Sequence, residues 1–343
     1  MAIIALMAML LLTGATGFLG SWILERMRQE ETCRKLGFDT LRLMVRRPER
    51  LAQAPLPGTR LEVRQGDLLE PESVRSAVQA ADAVLHVAAL YDTHSPWRAF
   101  YRSNVEATRA LVSGMRAGSS LVLTSTYGVY GFPNAGRPIT EDYEPKRPLW
   151  HYQRTKWLQE QEARALCRER GIRFVALRPP TVIGPREMLS IPSLARTIES
   201  GRLVLVGDGS NTVAFAHAAD AARAHLLALA RVAENDGEAF HFASFHATFR
   251  QYVDAFAAAL GAPPVRRQAP LWLARFIGAL GDLGRGLGFP GAYTSFTVAY
   301  AASDDVLDDR RIRERLGFAP AYDLQRTVQE SVAWYLQARP RGR

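Results

Sequence analysis

An apolar run that breaks into glycines at a fixed interval leaves a chain few ways to fold, and residues 10–20, LLLTGATGFLG, form such a run. The leucines read as a buried first strand. Gly14, Gly17 and Gly20 follow three apart, with Thr16, Phe18 and Leu19 completing the turn. In a tight strand-to-helix turn the first glycine lets the chain reverse. The second lets backbone approach a ligand with no Cβ in the way, and the third lets the next helix lie close on the sheet. The N–H groups at that helix start, with their partial positive charge, suit a pyrophosphate. Taken alone, the stretch also reads as a glycine-rich turn with no ligand.

The segments that follow favour the ligand. LRLMVRRPERL (41–51) is a strand ending in Arg46 and Arg47. In a dinucleotide fold this strand end meets the adenosine ribose, where a carboxylate bonds the 2′-hydroxyl and arginines suit a 2′-phosphate. The pair therefore points to NADP(H) ahead of NAD(H), the plainer alternative being two solvated arginines. Gly66-Asp67-Leu68 closes a third strand and places the Asp67 carboxylate where it can accept the adenine amino group. ADAVLHVAAL (81–90) is another buried strand whose small Ala88 and Ala89 let backbone pack along the cofactor, while His86 reads as a core histidine. Strands alternating with helical segments predict an α/β fold with a doubly wound parallel sheet.

Composition narrows the partners. The 343 residues are 48% hydrophobic and 22% charged, as in a soluble globular protein. The net charge is +9, but the basic residues are scattered apart from a short C-terminal RPRGR, so no nucleic-acid module is read. An anionic small ligand or an acidic membrane surface accounts for the charge equally well. Cys33 and Cys167 stand far apart with no CxxC or Cys/His cluster, which predicts a cytoplasmic protein with neither disulfides nor a metal site. The opening MAIIALMAMLLL lacks a basic start and falls short of the roughly 20 residues a membrane span needs.

The chemistry comes next. SLVLTSTYGVYG (120–131) is a strand ending in the hydroxyls of Thr124, Ser125 and Thr126, and HYQRTKW carries Tyr152 and Lys156. Positions four apart share one helix face. An ammonium fixed beside a phenol lowers the phenol's pKa from about 10. Tyr152 can then exchange a proton with a substrate carbonyl or carbinol while hydride moves to or from a nicotinamide. Thr126 would hold the same substrate oxygen.

In this order GxxGxxG, Gly66-Asp67-Leu68, HVAA, Asn104 in NVEATRAL, the hydroxyl strand with VYG, YxxxK and LRPPTVIGP (177–185) resemble the extended short-chain dehydrogenase/reductases over most of the chain. The resemblance implies a Rossmann-type fold, a bound nicotinamide dinucleotide and a catalytic set of Thr126, Tyr152 and Lys156, with Ser125 as the fallback hydroxyl. It also implies that Lys156 bonds the nicotinamide ribose, that Asn104 shapes the active-site backbone and its water, and that Pro179 lies beside the nicotinamide. Dehydratases of this kind follow the hydroxyl with acids, whereas Tyr127-Gly128 stand here. Sugar epimerases carry an Asn where LRPPTVIGP has Pro or Thr, and an arginine where Val213 stands before His217, though Arg186, Arg196 or Arg202 could substitute. IPSLARTIESGRLVLVGDGSN (191–211) is similar to the 3β-hydroxysteroid dehydrogenase and dihydroflavonol reductase branch. The expected substrate is therefore a small hydrophobic ketone or secondary alcohol of sterol, flavonoid, terpenoid or β-keto lipid type. A nucleotide-sugar epimerase and a non-catalytic cofactor-binding regulator are the alternatives.

The domain reading is a Rossmann part over 1–180, rejoined by 213–243, interleaved with a substrate lobe over 181–343. In 269–293, Leu271, Trp272, Phe276, Ile277, Leu280, Leu283 and Leu287 recur at helical spacing among Gly278, Gly281, Gly284, Gly286 and Gly288. That pattern predicts either a helix covering the active site, or a membrane-surface helix with peripheral contact or a flexible lid serving a greasy substrate. By the same resemblance, helices around 98–116 and 151–170 would pair two copies into a homodimer.

Overall fold

Every strand of the first half hands the chain to a helix or turn that carries it back to start a parallel neighbour. In chain order these are Met9–Thr13 (β1), Phe18–Gln29 (α1), Thr32–Lys35 (α2), Thr40–Val45 (β2), Arg60–Gln65 (β3), Pro71–Val78 (α3) and Ala83–His86 (β4). Trp97–Phe100 (α4), Ala107–Gly114 (α5), Ser120–Thr124 (β5), His151–Glu169 (α6) and Arg173–Arg178 (β6) follow. A π-helical turn, Tyr101–Glu106, joins α4 to α5. The second half runs Thr181–Ile183 (β7), Ser190–Glu199 (α7), Leu205–Val206 (β8), Thr212–His217 (β9), Ala218–Ala230 (α8), Glu238–His241 (β10) and Phe245–Thr248 (β11). It ends with Phe249–Ala259 (α9), Gln268–Ala269 (β12), Leu271–Gly286 (α10), Ser295–Ala301 (α11), Arg310–Leu316 (α12) and Leu324–Ala338 (α13). This computed structural model describes residues 8–29, 32–51, 55–92, 95–144, 150–286 and 293–339. Residues 1–7 of the apolar opening, Leu287, Gly288 and residues 340–343 lie outside the described residues.

The large sheet has seven parallel strands in the order β10-β6-β5-β4-β1-β2-β3. Because side chains alternate along a strand, β1 feeds two cores. Leu10 and Leu12 pack with Ile23 and Leu24 of α1 and Leu226 and Leu229 of α8. Leu11 packs on the opposite face with Val74, Leu111 and Phe174. Only an apolar run such as LLL can satisfy both faces at once. The outer strand β3 is exposed and carries Arg60, Glu62 and Arg64, charges that suit a sheet edge.

Helix α8 and strand β10 bring the chain back to the large sheet. Strand β9, immediately before them, lies instead in a three-stranded sheet, parallel to β7 and antiparallel to β11. That sheet packs with α9 and α13 around Phe215, Tyr252, Phe256, Val328 and Val332. Strand order reverses between β4 and β1, and a crevice at the carboxyl ends of parallel strands at that point is where this architecture receives ligands.

Candidate active site

The glycine turn lies at the end of β1. Gly14 has φ +78°, and a Cβ there would come within 2.7 Å of the Ala88 amide nitrogen at the end of β4. Gly20 differs from the sequence expectation: a Cβ on it would overlap the Gly14 carbonyl, so it lets α1 close on its own turn rather than on the sheet. The first intrahelical bond runs from Ser21 N–H to the Gly17 carbonyl at 2.9 Å, leaving the N–H groups of Phe18, Leu19 and Gly20 outside the ladder. With Thr16 and Gly17 in the turn before them these N–H groups fit a dinucleotide pyrophosphate, and a Cβ at Gly14 or Gly20 would force the turn's backbone apart. Arg46 and Arg47 follow β2 as exposed residues. One Asp67 oxygen accepts the Leu69 N–H at 2.9 Å, and Leu68 packs on the core beneath. Ala88 donates its N–H to the Thr13 hydroxyl at 3.3 Å, and Ala89 follows it.

Strand β5 and helix α6 present the expected hydroxyl, phenol and amine. Thr126 follows β5 in extended conformation, and its hydroxyl accepts the Gly128 N–H at 3.1 Å. Burial pushes the Tyr152 phenol well above its ordinary range, against the pull of a hydrogen bond with Thr126. Tyr91 packs edge-on against the Tyr152 ring at 5.0 Å and Phe100 lies at 6.1 Å. Ser125 is buried on the side of Glu160, away from this pair. Lys156 does not sit as the sequence suggests. Its ammonium donates to the Thr124 carbonyl at 2.7 Å and to Gln159 Oε1, one turn along α6. Its own burial lowers its pKa to about 7. The lowered phenol inferred from Y-x-x-x-K is thus corrected for the protein alone, because burial disfavours the phenolate more than any neighbour favours it.

Behind the amine runs a buried chain of hydrogen bonds. Gln159 donates to Thr108 Oγ1 at 2.6 Å, and Thr108 gives its own proton to the Asn104 carbonyl at 2.7 Å. The 2.8 Å contact of Thr108 with His86 Nε2 must then have the imidazole donating, so His86 Nδ1 accepts from Thr13 Oγ1, also at 2.8 Å. His86 is the core histidine its apolar strand suggested, and burial pushes it down to about 3. Asn104 stands on the π-helical turn. Its Oδ1 accepts Leu90 N–H at 2.8 Å, and its Nδ2 donates to Thr155 Oγ1 at 3.3 Å. π-turns inside helices recur at functional sites.

Pro179, named from the sequence, accepts the Tyr127 N–H at 2.9 Å, so the residue just past β6 holds the segment after Thr126. The contacts around it escaped the sequence. Thr181 Oγ1 lies 2.8 Å from the Tyr300 hydroxyl, and the buried Tyr127 phenol faces both Thr181 and Asp305. Phe132 packs at 5.7–6.0 Å against Tyr127, Trp150, Phe296 and Tyr300, making an aromatic wall from three separate segments. Of the arginines that could have held a diphosphate, Arg186 lies over the Trp22 ring at 4.4 Å.

A glycine-cradled turn beside a tyrosine–lysine helix, at the carboxyl edge of a parallel sheet, defines a Rossmann-type dinucleotide protein. Residues 10–243 match the NAD dependent epimerase/dehydratase family, and the chain belongs to it. It is 34% identical over 230 residues to the 2-alkyl-3-oxoalkanoate reductase of Stenotrophomonas maltophilia, covering 63% of this chain and 68% of that protein. Identity to the sterol-4-alpha-carboxylate 3-dehydrogenase, decarboxylating, of Mus musculus is 24% over 281 residues, 78% of each chain. The dihydroflavonol 4-reductase of Callistephus chinensis is 28% identical over 193 residues, and the match spans 50% of this chain and about half, 51%, of that protein's length. Among solved structures, gox2253 superposes with a TM-score of 0.77 at 24% identity, covering 96% of this chain and 98% of that one. MoeE5 in complex with UDP-glucuronic acid and NAD gives 0.70 at 25%, covering 96% and 99%. The branch resemblance read from the motifs is borne out by these reductases and dehydrogenases. Among the described residues no helix is long and apolar enough to cross a membrane.

Proposed function

We propose that the protein is an NADP(H)-dependent reductase of a hydrophobic ketone of the sterol, flavonoid, terpenoid or β-keto lipid class. The observation that carries this reading is the Tyr152 phenol set beside the Thr126 hydroxyl, with the Tyr91 and Phe100 rings packed against it. A protonated tyrosine is ready to give its proton to the oxygen of a carbonyl undergoing reduction. Thr126 orients that oxygen, and Lys156 is held behind by Thr124 and Gln159. Gly14, Gly17 and Gly20 with the first turn of α1 hold the pyrophosphate, and Arg46 and Arg47 the 2′-phosphate. Asp67, Leu68, Ala88, Ala89 and Pro179 line the rest of the dinucleotide path. The nicotinamide supplies the hydride when bound. The aromatic wall favours an apolar substrate, and the commitment of Arg186 to Trp22 leaves it unsuited to gripping a sugar diphosphate. Two copies joined through the α4–α5 segment and α6 in the cytoplasm complete the proposal.

The test is NADPH oxidation at 340 nm with β-keto acids, ketosteroids, flavanones and UDP-sugars. Tyr152→Phe should lose on the order of a hundredfold or more in kcat, while NADPH affinity stays within about twofold. Turnover confined to UDP-sugars would overturn the substrate class. Arg46→Ala with Arg47→Ala should weaken NADP(H) binding about tenfold or more and leave NAD(H) binding unchanged, as expected for lost charge-assisted bonds. Equal weakening of both would remove the 2′-phosphate assignment.

A further inference from the structure

Helix α10 is built inside out. Its small residues face the protein: Ala274 and Gly278 are buried, and a Cβ at Gly281 would overlap the Tyr293 carbonyl. Its large apolar residues face away from the body. Trp272 is 70% exposed, Leu283 63%, Phe276 59% and Leu280 51%. Their spacing keeps all four on one stripe, and Ile277 widens it, also exposed. Core burial therefore does not explain these side chains, because the glycine contacts already hold the helix to the Tyr293–Ser295 backbone without them. Asp282, at the edge of the stripe, accepts the Ser295 N–H at 3.3 Å, which further fixes that orientation.

The charge around the stripe selects what can cover it. Arg275 stands exposed at its border, and Arg266 and Arg267 are exposed on the approach to the helix. The whole chain carries +9. A second copy docked face to face would bring like charges together, whereas an anionic surface complements them. Over its 16 described residues the helix is too short to cross a bilayer. A tryptophan, a phenylalanine and leucines on one face with arginines beside it are what an interfacial helix requires.

We propose that α10 lies flat in the boundary between headgroups and acyl chains of an anionic bilayer, with Trp272, Phe276, Leu280 and Leu283 turned into the lipid. This docking surface stands apart from the reductase reading and would hold whatever reaction the cleft performs.

The experiment is co-sedimentation of the full chain with vesicles of phosphatidylcholine alone, or with about a quarter phosphatidylglycerol. Binding to the mixed vesicles is expected, with much less to phosphatidylcholine alone and less at high salt. The variant Phe276→Glu with Leu280→Glu should bind about tenfold or more weakly, with an unchanged melting temperature and NADPH affinity. Trp272→Leu should still bind but lose the quenching of its fluorescence by brominated lipid. Wild-type protein left in the supernatant with both vesicle types would overturn the proposal, as would a double variant that partitions normally. A dimer in solution that the double variant dissolves would give the face to a second copy instead.

Discussion

At position 20 a single methyl group decides whether the first helix can begin where it does. Gly20→Ala forces the Gly14 carbonyl aside, and the Gly14 carbon itself would lie 2.7 Å from the new atom. The expected cost is about 2–3 kcal/mol in a denaturant melt, together with weaker dinucleotide binding, because the shifted carbonyl holds the Gly17 N–H and with it the shape of the turn. An alanine variant as stable as the parent would show that the turn is softer than its contacts imply. The need for a glycine here was legible in the spacing, but its partner was not. The same holds for Lys156: the motif placed it on the face of Tyr152, while the direction of its ammonium depends on Thr124, from a strand far away in sequence. Tyr300 carries no motif, and the motifs that hold Tyr127 and Thr181 say nothing of their partners. They meet because a loop, a short strand and a late helix converge, and single-sequence patterns hold no record of such convergence.

At the scale of elements, α6 carries both the reacting face and its anchor. Arg178 at the end of β6 grips Glu160 with two bonds, at 2.6 and 3.1 Å, and also reaches the Tyr130 hydroxyl and the Glu141 carbonyl. Burial alone would raise the Glu160 carboxyl, but Arg178, with Ser125 and Arg164, holds it below its ordinary value. Arg178→Met leaves that carboxylate buried without its partner, and about 3–5 kcal/mol of stability should disappear. Adding Glu160→Gln should restore part of it, read as the midpoint of urea unfolding; no recovery would mean that Arg178 acts through Tyr130 and Glu141 instead. Helix α10 shows the limit of periodicity at this scale. The repeat of apolar residues announced a helix, but not that the glycines would take the inner face. That choice was made by the close approach of the Tyr293–Ser295 backbone, a contact with no signature in a helical wheel.

Across the whole molecule, burial has set five imidazoles against acid. His86 is pushed down to about 3, His217, His225 and His241 to about 4, and His246 is held below its ordinary value. Below pH ~6.5 the unfolded chain takes up protons that the folded chain refuses, so stability falls as pH drops from about 6.5 towards 4. Asp305 works in the opposite sense. Burial raises it to about 7, so its contribution grows on acidification and offsets part of the loss. The lowered Lys156 amine adds to the loss between pH 8 and pH 7, so the balance is a net fall in stability from pH 8 to pH 5, measurable in guanidinium melts. A flat profile over that range would contradict the burial of these rings.

The hydrogen bonds beneath the cleft have one junction. Thr108 takes protons from Gln159 and His86 and gives its own to the Asn104 carbonyl, so a single hydroxyl ties together α6, β4 and the π-helical turn. The floor that steadies the amine is therefore the floor that steadies the threonine ahead of the glycines. Erasing that oxygen, as in a swap to valine, would loosen cofactor grip and acid–base alignment in one stroke without touching a group that meets either ligand.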